Sequence, residues 1–427
     1  MLRIALSYAA LVACLITEPH PLFGQTGSVL KQATAGGAEV PAVPKFDKNS
    51  EETNSRFPWA DAPSQGVQPA ALVRLTDLVI GFVEADEIVG AELLVIKNRR
   101  TILHEAFGFN DRARKLPMQK DTIFSIRSMT KPLTGVAAQM LIDEGLLQLH
   151  APVAKYLPAF DTDSPRKITV HHLLTHRSGL PMRSAGRLWS DYGSYDSVQE
   201  LAAYWGNYGP RLFEPGKHYH YADANVDTLA AVIENVTGMP AEVFIQRRLL
   251  EPLEMKDTIP LLRGDDPRVD RVATKYSGGR GKWRAFWSWN GKPYFAFPMF
   301  AQGFYSTAVD YACFLAMLAD GGEYHGQRLL SHDAIERILT PVSVTTMPTG
   351  VARVNSSYGQ LMHVYEHRGK LIVFGHSGSD GTYAWVWPAE NLIVLYFTQS
   401  RGSTTMARME AVVDNVLGRP VGPSSSP

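Results

Sequence analysis

The segment Ile123-Phe124-Ser125-Ile126-Arg127-Ser128-Met129-Thr130-Lys131 decides how the rest of the chain is read. It leads into a stretch, Lys131 to Glu144, with no glycine between Gly135 and Gly145, and the pattern predicts a helix. Three helical residues turn about 300° and rise about 4.5 Å, so Ser128 and Lys131 share one face a turn apart. That spacing brings the lysine nitrogen within reach of the serine oxygen. A helix N-terminus at Ser128 also adds partial positive charge where an oxyanion would develop. The useful base is a neutral lysine, so its ordinary pKa of about 10.4 must be lowered by burial or a nearby cation. Ser-x-x-Lys fixes only two positions, and taken alone an N-capping serine with a surface lysine explains it better.

Outward from that segment, strands lie at both ends of the sequence. Leu72, Leu75, Val79 and Phe82 recur at helical spacing, and Ala91–Ile96 and Thr101–Phe107 then read as a hairpin. Much later come Tyr358–Glu366, Lys370–Phe374, Thr382–Trp387 and Leu392–Thr398, followed by a last helix, Thr405–Leu417, that stops at Gly418. The middle reads as helical and loop-rich. The economical solution is an α/β fold of the α+β type. One antiparallel sheet is built from both termini, flanked by the terminal helices, with a helical lobe inserted between. A cleft between sheet and lobe is a common place for a site.

The quoted segment looks like the one that carries the nucleophile in serine β-lactamases and penicillin-binding proteins. Glu144-Gly145-Leu146-Leu147-Gln148-Leu149 through Tyr156-Leu157-Pro158 resembles the same family, as does His172-Leu173-Leu174-Thr175-His176-Arg177-Ser178-Gly179-Leu180-Pro181. Tyr221-Ala222-Asp223 occupies the place of a Tyr-x-Asn box, and Gly375-His376-Ser377-Gly378 that of Lys-Thr-Gly or His-Thr/Ser-Gly. The resemblance spans roughly residues 70–418 and is nearest the class C-like branch, which includes D-alanyl carboxypeptidases and family VIII carboxylesterases. It implies a β-lactamase/transpeptidase-like fold and a serine hydrolase. Ser128 would be acylated, and Lys131 and Tyr221 would relay its proton. An ammonium beside the phenol would favour phenolate. The backbone N–H groups of Ser128 and Ser379 would form the oxyanion hole, and Asp223, Asn225, His376, Ser377 and Gly378 would bind substrate.

Two positions depart from the family pattern. An ionised Asp223 would hold Lys131 protonated, unless it points away, Asn225 takes the amide's role, or Asp223 is paired. His376 replaces a lysine that often grips a substrate carboxylate, and a largely neutral imidazole tilts the reading towards neutral esters and amides. A D-alanyl carboxypeptidase, a β-lactamase and a non-hydrolysing ligand-binding or sensor module remain the alternatives.

Other signals are weaker. His172 and His176 have a metal-compatible spacing, with His218 and His220 further on, but no acidic or thiol partner completes a site, so local hydrogen bonding is the expectation. No metal or cofactor is expected. Gly375-His376-Ser377-Gly378-Ser379 lacks the last glycine of a G-x-S-x-G elbow. The aromatic run Trp283, Phe286, Trp287, Trp289, Tyr294, Phe295 and Phe297 fits either a substrate pocket or the lobe's own core. Cys313, in the apolar stretch Tyr311 to Leu318, reads as a buried small hydrophobe.

The 427 residues are 45% hydrophobic, and 42 basic residues balance 42 acidic ones, which leaves no electrostatic footprint for nucleic acid. The partner expected is therefore a small ester, amide or β-lactam-like molecule, and the oligomeric state stays open. Ile4–Ile16 behind Arg3 spans about 13 residues against roughly 20 for a membrane helix, so residues 1–25 read as a signal peptide for secretion or the periplasm. Leu11-Val12-Ala13-Cys14 also resembles a lipoprotein box, which would instead tether the chain to a membrane at Cys14. Residues 26–68 read as a flexible arm, 69–418 as the hydrolase domain and 419–427 as a tail.

Overall fold

Strand Leu392–Thr398 is buried along its whole length, because the sheet to which it belongs is covered on both faces. The computed structural model describes residues 56–163, 165–182, 195–344 and 356–417. Among these, nine strands form one antiparallel sheet: β1 (Gly90–Lys97), β2 (Arg100–Asp111), β3 (Leu116–Pro117), β4 (Ser343–Val344), β5 (Ser356–Tyr358), β6 (His363–His367), β7 (Lys370–Gly378), β8 (Thr382–Trp387) and β9 (Leu392–Thr398). Their spatial order is β4-β5-β6-β7-β8-β9-β1-β2-β3. The early hairpin and the late strands therefore join where β9 pairs with β1, from Ala91↔Thr398 to Lys97↔Leu392. Asn98 and Arg99, at φ 52° and 60°, make the tight turn between β1 and β2.

Among the described helices, α1 (Pro69–Glu84), α2 (Thr130–Asp143), α3 (Asp223–Thr237), α4 (Ala308–Ala319) and α5 (Thr405–Val416) share the hydrophobic cores of this sheet. Side chains alternate along each strand, so Leu93, Val95, Val394 and Tyr396 join Leu75, Val79, Phe82, Met409 and Val413 of the terminal helices α1 and α5. Leu94, Ile96, Leu395 and Phe397 face the other way and join the large core shared with α2, α3 and α4. α4 is buried from Ala308 to Leu318, as befits a helix apolar on every side, and Thr307 caps it by accepting from the Asp310 N–H. Truncating Leu395 to alanine would cost about 2–5 kcal/mol through lost transfer energy and the cavity left behind.

The antiparallel sheet with its flanking terminal helices and inserted helical lobe is the arrangement expected. Three details differ. Residues 56–68, expected to belong to a flexible arm, are packed: Phe57 is buried, Ala60 N–H bonds to Thr101 O at 3.0 Å, and the Arg56 guanidinium bonds to Asp310 at 2.7 Å. Apolar Phe57, Ala62 and Val67 drive this docking, and their spacing has no helix or strand period to reveal it. Second, Tyr358–Glu366 is two strands with a turn between them. Gly359 sits there against Ile338 O, where a Cβ would come within 2.1 Å. Third, the lobe holds small strands: Lys275–Ser277 pairs with Arg284–Trp287 and, in parallel, with Ser400–Arg401. Residues 1–55 and 418–427, which include the expected leader and Cys14, lie outside the described residues.

Candidate active site

Ser128 sits in a 3-10 turn, Arg127–Met129, that feeds directly into α2, and Lys131 occupies the first turn of that helix. Lys131 is fully buried. Its Nζ donates to Ser128 Oγ at 3.2 Å, to Asp223 Oδ1 at 2.6 Å and to Ala301 O at 2.9 Å. Tyr221 precedes α3 and lays its ring 4.6 Å from the lysine nitrogen. The Ala301 carbonyl is itself fixed from below. Asp227, one turn beyond Asp223 on α3, accepts from the N–H groups of Phe300 and Ala301 at 3.0 and 3.1 Å.

Burial alone would lower the pKa of Lys131, but the adjacent Asp223 carboxylate and Tyr221 outweigh it and raise it above the usual lysine value. Burial raises the Tyr221 phenol, against the opposing pull of the Lys131 ammonium. The resting site therefore holds an ammonium and a neutral phenol, the reverse of the lowered lysine and favoured phenolate expected from sequence. None of the three arrangements that would spare Lys131 is adopted: Asp223 grips Lys131 with one oxygen at 2.6 Å, and its second oxygen accepts from Gln302 Nε2 at 3.0 Å.

Asn225 is not with them. Two residues along a helix turn about 200°, so it points away from Lys131. Its amide meets His176 Nδ1 at 2.9 Å, and its oxygen accepts from Ser178. The substrate-binding role expected of Asn225 is thus corrected to a structural one. His176 bonds the Ala222 N–H at 3.3 Å and places its ring 4.6 Å from that of Tyr221, and His172 closes a capping box with Thr169. Among the described residues, no three His, Cys, Asp or Glu side chains are grouped to hold a metal.

The third box ends β7, next to Ser128. A pocket of about 410 Å³ is lined by Ser128, Tyr221, His376, Ser377, Gly378 and Ser379, together with Tyr219, His363 and Met406. Burial, with His363 and Lys131 nearby, pushes His376 well below the usual histidine pKa, and its Nε2 meets Tyr358 OH at 3.1 Å. Burial likewise lowers His363 to about 4. The pocket wall is therefore aromatic and uncharged at that end. None of the aromatic run 283–297 lines it. Phe297 belongs to the core, and Phe286, Trp287 and Tyr294 cover buried Lys275. Cys313 is buried, its thiol pushed up to about 11 by burial.

A family model described as Beta-lactamase matches residues 75–417. The chain belongs to the beta-lactamase family. Over 376 residues it is 29% identical to an uncharacterised protein of Mycobacterium tuberculosis, covering 78% of this chain and 91% of that protein. It is 34% identical over 189 residues to the esterase EstB of Burkholderia gladioli, covering 40% of this chain and 46% of EstB. Among solved structures, EstCE1, a hydrolase with promiscuous acyltransferase activity, superposes with a TM-score of 0.70 at 20% identity, over 83% of this chain and all of that one. This beta-lactamase-family chain is thus a hydrolase-superfamily member with the fold of the β-lactamases and penicillin-binding proteins.

Sequence reading missed Tyr358 and His363, which flank the turn at Gly359 and have no motif of their own. It also missed Asp227, whose position i+4 from Asp223 on one helix face is a signal that was there to use.

Proposed function

We propose that the protein is an exported serine hydrolase that cleaves a small carboxylic ester or amide through an acyl-enzyme on Ser128. One observation carries this reading: Ser128 lines the pocket with its hydroxyl hydrogen-bonded to Lys131, whose nitrogen lies 4.6 Å from the ring of Tyr221, another lining residue. The reactive form is the Lys131–Tyr221 pair one proton short of the resting state. As Ser128 Oγ bonds to the carbonyl carbon, its proton passes to that pair, and the carbonyl oxygen gains charge against the N–H groups of Ser128 and Ser379. Collapse breaks the bond to the leaving alcohol or amine, which takes the proton back from the pair. Water then repeats the sequence on the acyl-enzyme, releasing the acid and restoring Ser128.

The neutral, aromatic surroundings of His376 favour uncharged esters, and the similarity to EstB supports the same preference. A second reading, a ligand-trapping module without turnover, is favoured by the grip of Asp223 on Lys131. Labelling with a fluorophosphonate, followed by intact-mass analysis and turnover of an aryl ester, separates the two. A stoichiometric adduct on Ser128 with ester turnover supports the hydrolase, whereas no adduct and no turnover in folded protein sinks it. Export is part of the proposal and rests on the apolar leader. The N-terminus of protein from its native host is expected between Gly24 and Val29, and a chain beginning at Met1 or a lipidated Cys14 would replace that reading.

A further inference from the structure

Arg127 immediately precedes Ser128, and Asp380 immediately follows Ser379. Their side chains, only 2% and 1% exposed, meet with Nε donating to Oδ2 at 2.6 Å. We propose that Arg127 and Asp380 are positioning residues that clamp together the two turns carrying the oxyanion-binding N–H groups. The proposal rests on the reading of Ser128 and Ser379 given above.

Three further observations support the clamp. The two turns pack closely: Thr382 Oγ1 donates to Ile126 O at 3.3 Å, and a Cβ on Gly378 would come within 2.4 Å of the same carbonyl. Arg127 is held at φ 47°, a left-handed conformation that a side chain with a Cβ disfavours and that the surrounding structure must enforce. Finally, Asp380 is fixed on both oxygens. Arg401 Nε donates to Oδ1 at 2.7 Å, and Lys275 Nζ lies 3.3 Å from Oδ2.

Tyr294 lies over the Arg127 guanidinium at 4.7 Å, so the pair works in a dry environment where its electrostatics are strong. Burial disfavours the Asp380 carboxylate, but the Arg127 and Arg401 guanidiniums prevail and hold its pKa well below the usual range. The clamp therefore stays ionised at any working pH.

Steady-state kinetics with p-nitrophenyl acetate and inhibition by phenylboronate, a tetrahedral adduct former, test the clamp. Arg127→Met and Asp380→Asn are each expected to lower kcat by roughly 10²–10³-fold, the loss typical of a disabled oxyanion donor. KM should move less than about threefold. Phenylboronate affinity should fall in parallel with kcat, the limbs of the pH profile should stay in place, and the double variant should be little worse than the poorer single one. Arg127→Lys, which keeps the charge, should recover part of the loss.

Circular dichroism establishes folding. If Arg127→Met fails it, Asp380→Asn, which preserves side-chain shape, carries the same expectations. Folded variants with wild-type kcat, or a loss confined to KM, overturn the clamp. Turnover surviving in Ser128→Ala would overturn the underlying site reading, whereas an inactive Ser128→Ala beside an unimpaired Arg127→Met removes the clamp alone.

Discussion

Lys131 stands closer to Asp223, at 2.6 Å, than to the Ser128 oxygen, at 3.2 Å, so the lysine leans on the carboxylate more than on the serine. The attraction has a chemical consequence. An ammonium cannot take the serine proton, and the raised Lys131 and Tyr221 place the loss of the pair's extra proton above neutrality. The rate should therefore climb with pH well past 7. Asp223→Asn removes the carboxylate that raises Lys131 while leaving the burial that lowers it. The rising limb should move to lower pH, with about a tenfold gain at pH 7 for each unit moved. Parallel pH–rate profiles decide this, and an unmoved limb, or one moved to higher pH, refutes it.

The nucleophile and its relay should behave as a unit. Ser128→Ala is expected to abolish turnover, and Lys131→Ala and Tyr221→Phe each to reduce it by about 10³-fold or more. The Lys131→Ala/Tyr221→Phe double variant should cost little beyond the worse single change. Full additivity of the two losses in folded protein would show that they act independently.

Much of this was legible because local patterns and the three boxes agreed. β9 and α5 announce themselves by apolar periodicity, and Ser128, Lys131 and Tyr221 by their spacing and order. What stayed hidden is contact between segments far apart in sequence. Whether Asp223 points towards Lys131 depends on how α3 lies across α2. Arg127 and Asp380 are 253 residues apart, and only the closed sheet brings them together. For Asn225 the reason is simpler: the helical rotation between i and i+2 turns it away from the face of α3 that carries Asp223.

Asp227 offers a test of stability instead of rate. Its Oδ1 accepts two N–H bonds, but its fully buried Oδ2 has no hydrogen-bond partner. Burial, with Asp223 nearby, pushes its pKa up to about 7. The unfolded carboxyl ionises near pH 4, so folding keeps a proton that the unfolded chain releases. Stability is full below that point, falls as pH rises towards 7, and stays reduced above it. Asp227→Asn keeps the acceptor and removes the buried charge. It should change little at pH 4.5 and stabilise by on the order of 2–4 kcal/mol at pH 8. Calorimetry at the two pH values checks this, and equal effects at both would show that the carboxyl does not titrate in this range.

Substrate preference turns on what faces the reacting carbonyl. His376 stands where related enzymes often have a lysine, and its lowered pKa leaves it uncharged at neutral pH. A carboxylate on the substrate therefore lacks a charge-assisted hydrogen bond there, worth roughly 1.5–3 kcal/mol or about one to two decades in rate. Arg401 is the countervailing group, since it neighbours the pocket residues Ser400 and Gly402. Its guanidinium, however, is already committed to Asp380 and lies 4.5 Å from the Phe286 ring. Esters also release a better leaving group than amides, which suits a lysine that surrenders its proton reluctantly. Short-chain aryl esters should accordingly show kcat/KM at least tenfold above benzylpenicillin or a D-Ala-D-Ala peptide. His376→Lys should narrow that gap by raising the rates for the two carboxylate substrates. If either of them outpaces the ester by tenfold in the unaltered protein, cell-wall peptide or β-lactam chemistry replaces ester hydrolysis as the reading of this pocket.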